Sequence, residues 1–132
     1  MVLVDTSVWI RYLAGQPPYL AELGRLLGLD EVTAHELVYG ELLIGDRGGR
    51  RKLLTAYERM HQAAMVPHRD VVAFVRDHGL HGRGVGWIDI HLLASAVVGR
   101  LQLWTDDPRF AAVANEVGVA YHAPGQLGPM SR

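Results

Sequence analysis

A chain of 132 residues, 49% of them apolar, is long enough for one domain with a buried core. It has no cysteine, which excludes disulfides and cysteine-ligated zinc, and no run of about 18 apolar residues, which excludes a membrane-spanning helix. A net charge of −1 gives no bulk attraction to nucleic acid, and no basic head precedes the first apolar run, so no signal peptide is expected and the compartment read from the sequence is the cytoplasm.

Val2-Leu3-Val4 is a continuous apolar run, the pattern of a buried strand. Thr6 or Ser7 can cap the helix that follows, in which Val8, Trp9, Tyr12 and Leu13 recur at helical spacing. Asp5 then falls at the carboxyl end of a buried strand, the edge where open α/β sheets bind ligands. The plainer role for Asp5 is to cap the helix. Gln16-Pro17-Pro18 ends that helix. Tyr19–Leu29 reads as a second helix, Glu31–Ala34 as a short strand and His35–Ile44 as a third helix stopped by Gly45. Asp46–Gly49 is a loop, and a long helix is expected over Arg50–Ala64, followed by a short strand or extended link at Met65-Val66-Pro67. Arg69–Leu80 is helical. A glycine-rich loop, Gly82–Gly86, leads into the strongly apolar helix Trp87–Val98. Leu101–Trp104 is a strand, Asp107–Glu116 a helix and Val117–Tyr121 a last strand. Ala123–Arg132 is rich in proline and glycine, so the domain is expected over 1–124 with a loose tail over 125–132. Strands alternating with helices imply a three-layer α/β/α domain around a mainly parallel sheet.

Of the fourteen acids, most sit where a solvated helix face explains them, Glu22 and Glu116 among them. Four stand apart. Asp5 ends a strand, Glu41 lies inside an apolar helix, Asp89 opens the most apolar helix and Asp107 follows a strand. A doubly wound sheet can bring such positions to one edge. Converging carboxylates repel one another unless a cation joins them, and magnesium or manganese prefers oxygen ligands. A metal so held can activate water against a phosphodiester. Each acid also has an ordinary explanation: Asp89 favours the helix dipole, Asp106 or Asp107 can cap the helix at Pro108, and Glu41 can face water. Arg47, Arg50, Arg51 and Lys52 form a basic cluster that either contacts phosphates or is a solvated helix start. The pair His78-x-x-His81 fits no HExxH motif, and no histidine is assigned a catalytic role.

Four stretches taken together carry a family likeness: VLVDTSVWI at 2–10, VYGELLIG at 38–45, GVGWIDIHLLASA at 84–96 and LWTDDPRF at 103–110. With them the chain resembles the PIN-domain ribonucleases, specifically the VapC-type toxins of toxin–antitoxin pairs. The resemblance places the family's four acids on Asp5, Glu41, Asp89 and Asp107, with Ser7 as the small hydroxyl residue that supports the metal site. Glu36 competes with Glu41, and Asp106 stands beside Asp107; Glu41 and Asp107 are preferred. The resemblance implies endonucleolytic cleavage of RNA, such as a transfer or ribosomal RNA, with Mg2+ or alternatively Mn2+. It also implies a homodimer and a VapB-type antitoxin that wraps the toxin. Trp9, Tyr12, Leu13, Leu37, Leu42 and Leu43 are candidates for the antitoxin groove, with plain core packing as the competing explanation. Arginines of the 47–51 loop, or Arg83, are candidates for RNA contact. Alternatives are a PIN-domain nuclease of RNA processing and a catalytically inactive binding module. A response-regulator receiver or a haloacid-dehalogenase-like phosphatase would need a lysine near a later strand, and the one lysine, Lys52, follows a glycine loop instead. No P-loop or dinucleotide fingerprint occurs.

Overall fold

The computed structural model describes residues 1–125; the expected tail at 125–132 lies, beyond Gly125, outside the described residues. Four strands form one parallel sheet: β1 (Val2–Val4), β2 (Val32–Ala34), β3 (His61–Gln62) and β4 (Gln102–Trp104), in the order β3-β2-β1-β4. Among the described residues seven helices surround it: α1 (Thr6–Leu13), α2 (Tyr19–Gly28), α3 (Glu36–Ile44), α4 (Arg51–Glu58), α5 (His68–His78), α6 (Trp87–Gly99) and α7 (Pro108–Glu116). The architecture is the three-layer α/β/α sandwich expected from strand–helix alternation. Among the described residues no helix is long and apolar enough to cross a membrane.

The apolar runs explain the centre. β1 is buried at all three residues and pairs with β2 through Val2 and Leu3, and with β4 through Val2–Val4. α6 is apolar on every side because it packs into the core from Ile90 to Ala96. Trp9, Trp104, Tyr57 and Phe110 are the largest fully buried side chains. α5 ends on Gly79 at φ +61°, the left-handed conformation that closes many helices.

Two expectations are corrected. The helix expected over Arg50–Ala64 stops at Glu58, and His61–Gln62 becomes the edge strand β3. Both of its residues are polar and exposed, so no apolar alternation announces it. Met65–Pro67 forms no strand and is a link, the other expectation for it. Val117–Tyr121 is reduced to one bridge, Leu103 to Ala120, because the chain turns at Gly118 before it reaches β4.

The strand order places the site. The chain moves from β1 outward to β2 and β3, then returns across the sheet to add β4 on the other side of β1. The crevice between the carboxyl ends of β1 and β4 is therefore the topological switch point, where open α/β sheets bind ligands.

Candidate active site

Asp5 leaves β1 at that switch point, and its backbone N–H continues the ladder by donating to Trp104 O at 2.8 Å. It occupies the N-cap position of α1, but its side chain makes no capping bond. Instead Asp5 Oδ2 accepts from Ser7 Oγ at 2.7 Å and from Thr105 Oγ1 at 2.8 Å. Each hydroxyl in turn accepts a backbone N–H: Asp106 N donates to Ser7 Oγ at 3.0 Å and Asp107 N to Thr105 Oγ1 at 3.1 Å. A hydroxyl can accept one bond and donate another, so these two transmit the polarity of the loop amides to a buried carboxylate. The expected capping role of Thr6 or Ser7 is thus replaced, because both hydroxyls serve carboxylates. Thr6 Oγ1 donates to Glu41 Oε1 at 2.6 Å, drawing α3 toward α1.

Asp107 carries the capping role that the sequence also allowed. Its Oδ1 accepts from Arg109 N at 2.9 Å and Phe110 N at 3.4 Å at the start of α7. Its neighbour Asp106 turns elsewhere, bound by Arg11 Nε at 2.9 Å and by the Tyr19 hydroxyl. Asp89 sits in the first turn of α6, after Gly86. Burial pushes its carboxyl up to about 7, and the charges of Asp5, Glu41 and Asp107 push in the same direction, while the Gly86 backbone opposes them. The mutual repulsion ties the four acids into one electrostatic cluster.

Glu36 is exposed at the first position of α3, on the β3 side of the sheet, where it lines a cleft of about 380 Å³ with Tyr39, Tyr57, Glu58 and Gln62. Glu41, by contrast, is among the charges that push Asp89 up.

Ion pairs among the described residues join Arg11 to Asp106, Arg25 to Glu22 and Arg83 to Glu116, and none reaches Asp5, Glu41, Asp89 or Asp107. Nor do any three acids or histidines close into a preformed metal cage among those residues. The donor chemistry nonetheless fits a hard divalent ion: carboxylate oxygens, no histidine or thiolate, and no internal cation to neutralise them. An open arrangement suits magnesium, which keeps several of its waters.

Sequence reasoning missed several supports. Thr105 stands directly after β4, beside the end of β1, and that placement is the signal that could have found it. His35, fully buried, caps α3: Leu37 N donates to its Nδ1 at 3.1 Å, so its proton sits on Nε2, 3.0 Å from Ser95 Oγ. Burial and nearby His91 lower it to about 4, so it stays neutral. Tyr57 accepts from His35 N at 2.9 Å, fastening α4 to the end of β2. His78 holds Phe74 O in the last turn of α5, an end-of-helix role.

Several sequence candidates take other places. Trp9 and Leu42 belong to the core, not to a groove. Arg83 is held by Glu116, and Arg50 donates to Leu42 O at 2.8 Å, closing the end of α3. Glu22 is buried rather than solvated, paired with Arg25 and Tyr121.

A parallel sheet with buried and half-buried carboxylates at its switch point defines a class, and the comparison with known families agrees. Residues 2–116 match the PIN domain, and the chain belongs to that family. Over 121 residues it is 43% identical to Ribonuclease VapC32 of Mycobacterium tuberculosis, in two strains, spanning 91% of this chain and 95% of that protein. Two solved structures share the fold. FitAcB from Neisseria gonorrhoeae has a TM-score of 0.66 at 24% identity, over 96% of this chain and 100% of that one. PAE2754 from Pyrobaculum aerophilum has a TM-score of 0.59 at 16% identity, over 91% and 87%.

Proposed function

We propose that the chain is a toxin-type ribonuclease whose site acids are Asp5, Glu41, Asp89 and Asp107, working with Mg2+ or Mn2+ on RNA phosphodiesters in the cytoplasm. The observation that carries the reading is a cluster of four carboxylates without an internal cation, at the switch point of a chain 43% identical to a named ribonuclease. A bound divalent ion would supply the positive charge that neutralises the cluster and activates water for attack on phosphorus.

The protein's own part is orientation. Ser7 and Thr105 hold one oxygen of Asp5, and no protein donor among the described residues meets the other. Thr6 holds one oxygen of Glu41 in the same way. Asp107 spends Oδ1 on the α7 cap and keeps Oδ2 for the site. Asp5, Glu41 and Asp107 are thus each fixed through one oxygen and present the other, the division of labour by which supporting hydrogen bonds orient metal ligands. Asp89, raised to about 7 by burial and by its neighbours' charges, is the acid that a bound cation would favour in its ionised form.

The partner of such a protein is an antitoxin, and its assembly a homodimer. Ile10 and Leu13 on α1 and Leu43 and Ile44 on α3 are exposed apolar side chains, on two helices that pack together. Exposed apolar surface of this kind suits a protein partner.

The test is digestion of total cellular RNA by the purified protein with magnesium, with manganese and with a chelator, beside an Asp89→Asn control. Discrete metal-dependent fragments that the control lacks are expected. No cleavage by protein freed of any co-purified antitoxin would leave a binding module in its place.

A further inference from the structure

The carboxylate cluster handles a phosphodiester only through a cation, so the rest of an RNA backbone needs cationic contacts from the protein. Most arginines whose elements border the cluster are already engaged. Arg11 is bound to Asp106, and Arg83 is bound through both its terminal nitrogens to Glu116, at 3.0 and 2.6 Å. Arg109 is the exception. It lies in the first turn of α7, two residues after Asp107, and no carboxylate meets its side chain among the described residues.

Its position is held by shape. Gly84 has φ +76°, and a Cβ placed there would lie 2.8 Å from Arg109 Nη1 and 3.0 Å from its Cδ. The arginine therefore lies flat on the glycine backbone, in space that any other residue would fill. Gly84 stands two residues before Gly86, the N-cap of α6, so the side chain spans from the helix that follows Asp107 to the loop that leads into Asp89. The neighbouring Arg83–Glu116 pair fastens the same loop to the far end of α7. An exposed guanidinium with no carboxylate partner among the described residues, laid on the backbone of the loop that leads into α6, presents the planar donor fork that suits a phosphate.

Building on the ribonuclease reading above, we infer that Arg109 is an RNA-positioning residue that grips a backbone phosphate next to the one being cleaved. Gly84 is the platform that aims it. The Arg83 of the same loop serves to anchor the platform and does not contact RNA.

The test reads binding and turnover separately. Bulk transfer RNA is titrated into Asp89→Asn protein over a salt series, with and without Arg109→Ala, Arg109→Lys and, as a charge control on α5, Arg76→Ala. Arg109→Ala should weaken binding roughly tenfold and lower the salt slope by about 0.7, the share of one single-strand phosphate contact. Arg109→Lys should restore the slope but only part of the affinity, and Arg76→Ala should leave the slope unchanged. In otherwise active protein, Arg109→Ala should raise KM for RNA with kcat nearly kept. Gly84→Ala, which moves the guanidinium without removing its charge, should raise KM also, with thermal melting used to confirm that each variant folds. An unchanged slope and KM for Arg109→Ala, in a parent that binds and cleaves RNA, would overturn this inference alone. A fall in kcat with no change in slope would do the same, since it would place Arg109 in the support of Asp107. A parent that neither binds nor cleaves RNA would remove the ribonuclease reading and this inference with it.

Discussion

Two regions of this molecule bury carboxylates, and they treat them in opposite ways. On α2, Glu22 is buried at 6% exposure, but Arg25 meets both its oxygens at 2.9 Å and the Tyr121 hydroxyl donates to it. Its carboxyl is held below the usual range, chiefly by the Arg25 hydrogen bonds. At the switch point, Asp5 is buried at 5% and its partners are two hydroxyls, while half-buried Asp89 is pushed up to about 7. A buried acid that serves the fold brings its own cation with it. An acid cluster built from neutral donors keeps its negative charge uncompensated, which costs stability and leaves the charge available to a ligand.

The sharpest way to break the comparison is to neutralise one acid in each region. Asp5→Asn or Asp89→Asn should lower metal-dependent RNA cleavage by at least about a hundredfold, the scale expected when metal support is lost. Glu22→Gln should leave the chemistry within a small factor but lower stability by about 1 kcal/mol, since Arg25 and Tyr121 lose a charged partner. Cleavage rates and thermal melts on the same preparations decide it. Comparable cleavage by wild type and Asp5→Asn would remove the site assignment. The next effect is smaller and tests the hydroxyl support. Thr105→Val keeps the shape and removes the donor to Asp5, so metal affinity measured by titration should fall by roughly 10- to 100-fold.

A pH series sharpens the contrast through its sign. The folded-state value for Asp89 lies above its ordinary value of 3.8, at about 7. Between those limits the folded protein binds more protons than the unfolded chain, so metal-free stability falls as pH rises and the loss is complete above about pH 7. Glu22 has the opposite shift, so its contribution is present at neutral pH and disappears as pH falls through its lowered value. Asp89→Asn should therefore raise the metal-free melting temperature at pH 7.5 by a few degrees, on the order of 1 kcal/mol after solvent screening, and do little near pH 4. Magnesium should flatten the wild-type dependence in the same scan. A variant that melts below wild type at pH 7.5 would contradict the repulsion.

What could be read before folding follows the same physics. Val2–Val4, Val32–Ala34 and Gln102–Trp104 belong to strands that the sequence announces by apolar runs, and α6 by its nearly unbroken apolar stretch. Their order explains why Asp5 and Asp107 share an edge. β3 was invisible because two exposed polar residues pair only through their backbones. The burial of Glu22 was hidden because its partner Tyr121 is far away in the chain. The hydroxyl bonds to Asp5 join residues up to a hundred positions apart, and no local pattern predicts which hydroxyl donates to which carboxylate.

The narrowest version of the comparison is a single peptide bond. Asp106 and Asp107 are adjacent carboxylates, of which the resemblance prefers Asp107; Asp106 is held by Arg11 and Tyr19 while Asp107 caps α7 and acts on Asp89. Asparagine can replace either: it preserves the cap at 107, because its carbonyl oxygen still accepts from Arg109 and Phe110. Asp107→Asn should therefore fold as well as wild type and cleave poorly. Asp106→Asn should cleave within about twofold of wild type and lose no more than about 0.5 kcal/mol, the usual value of a partly exposed ion pair. Cleavage assays on the two variants, with melting curves as the folding control, test this least of the expected effects. If Asp106→Asn were the inactive one, the fourth acid would have to be reassigned to it, and the Arg11 pair would become part of the site.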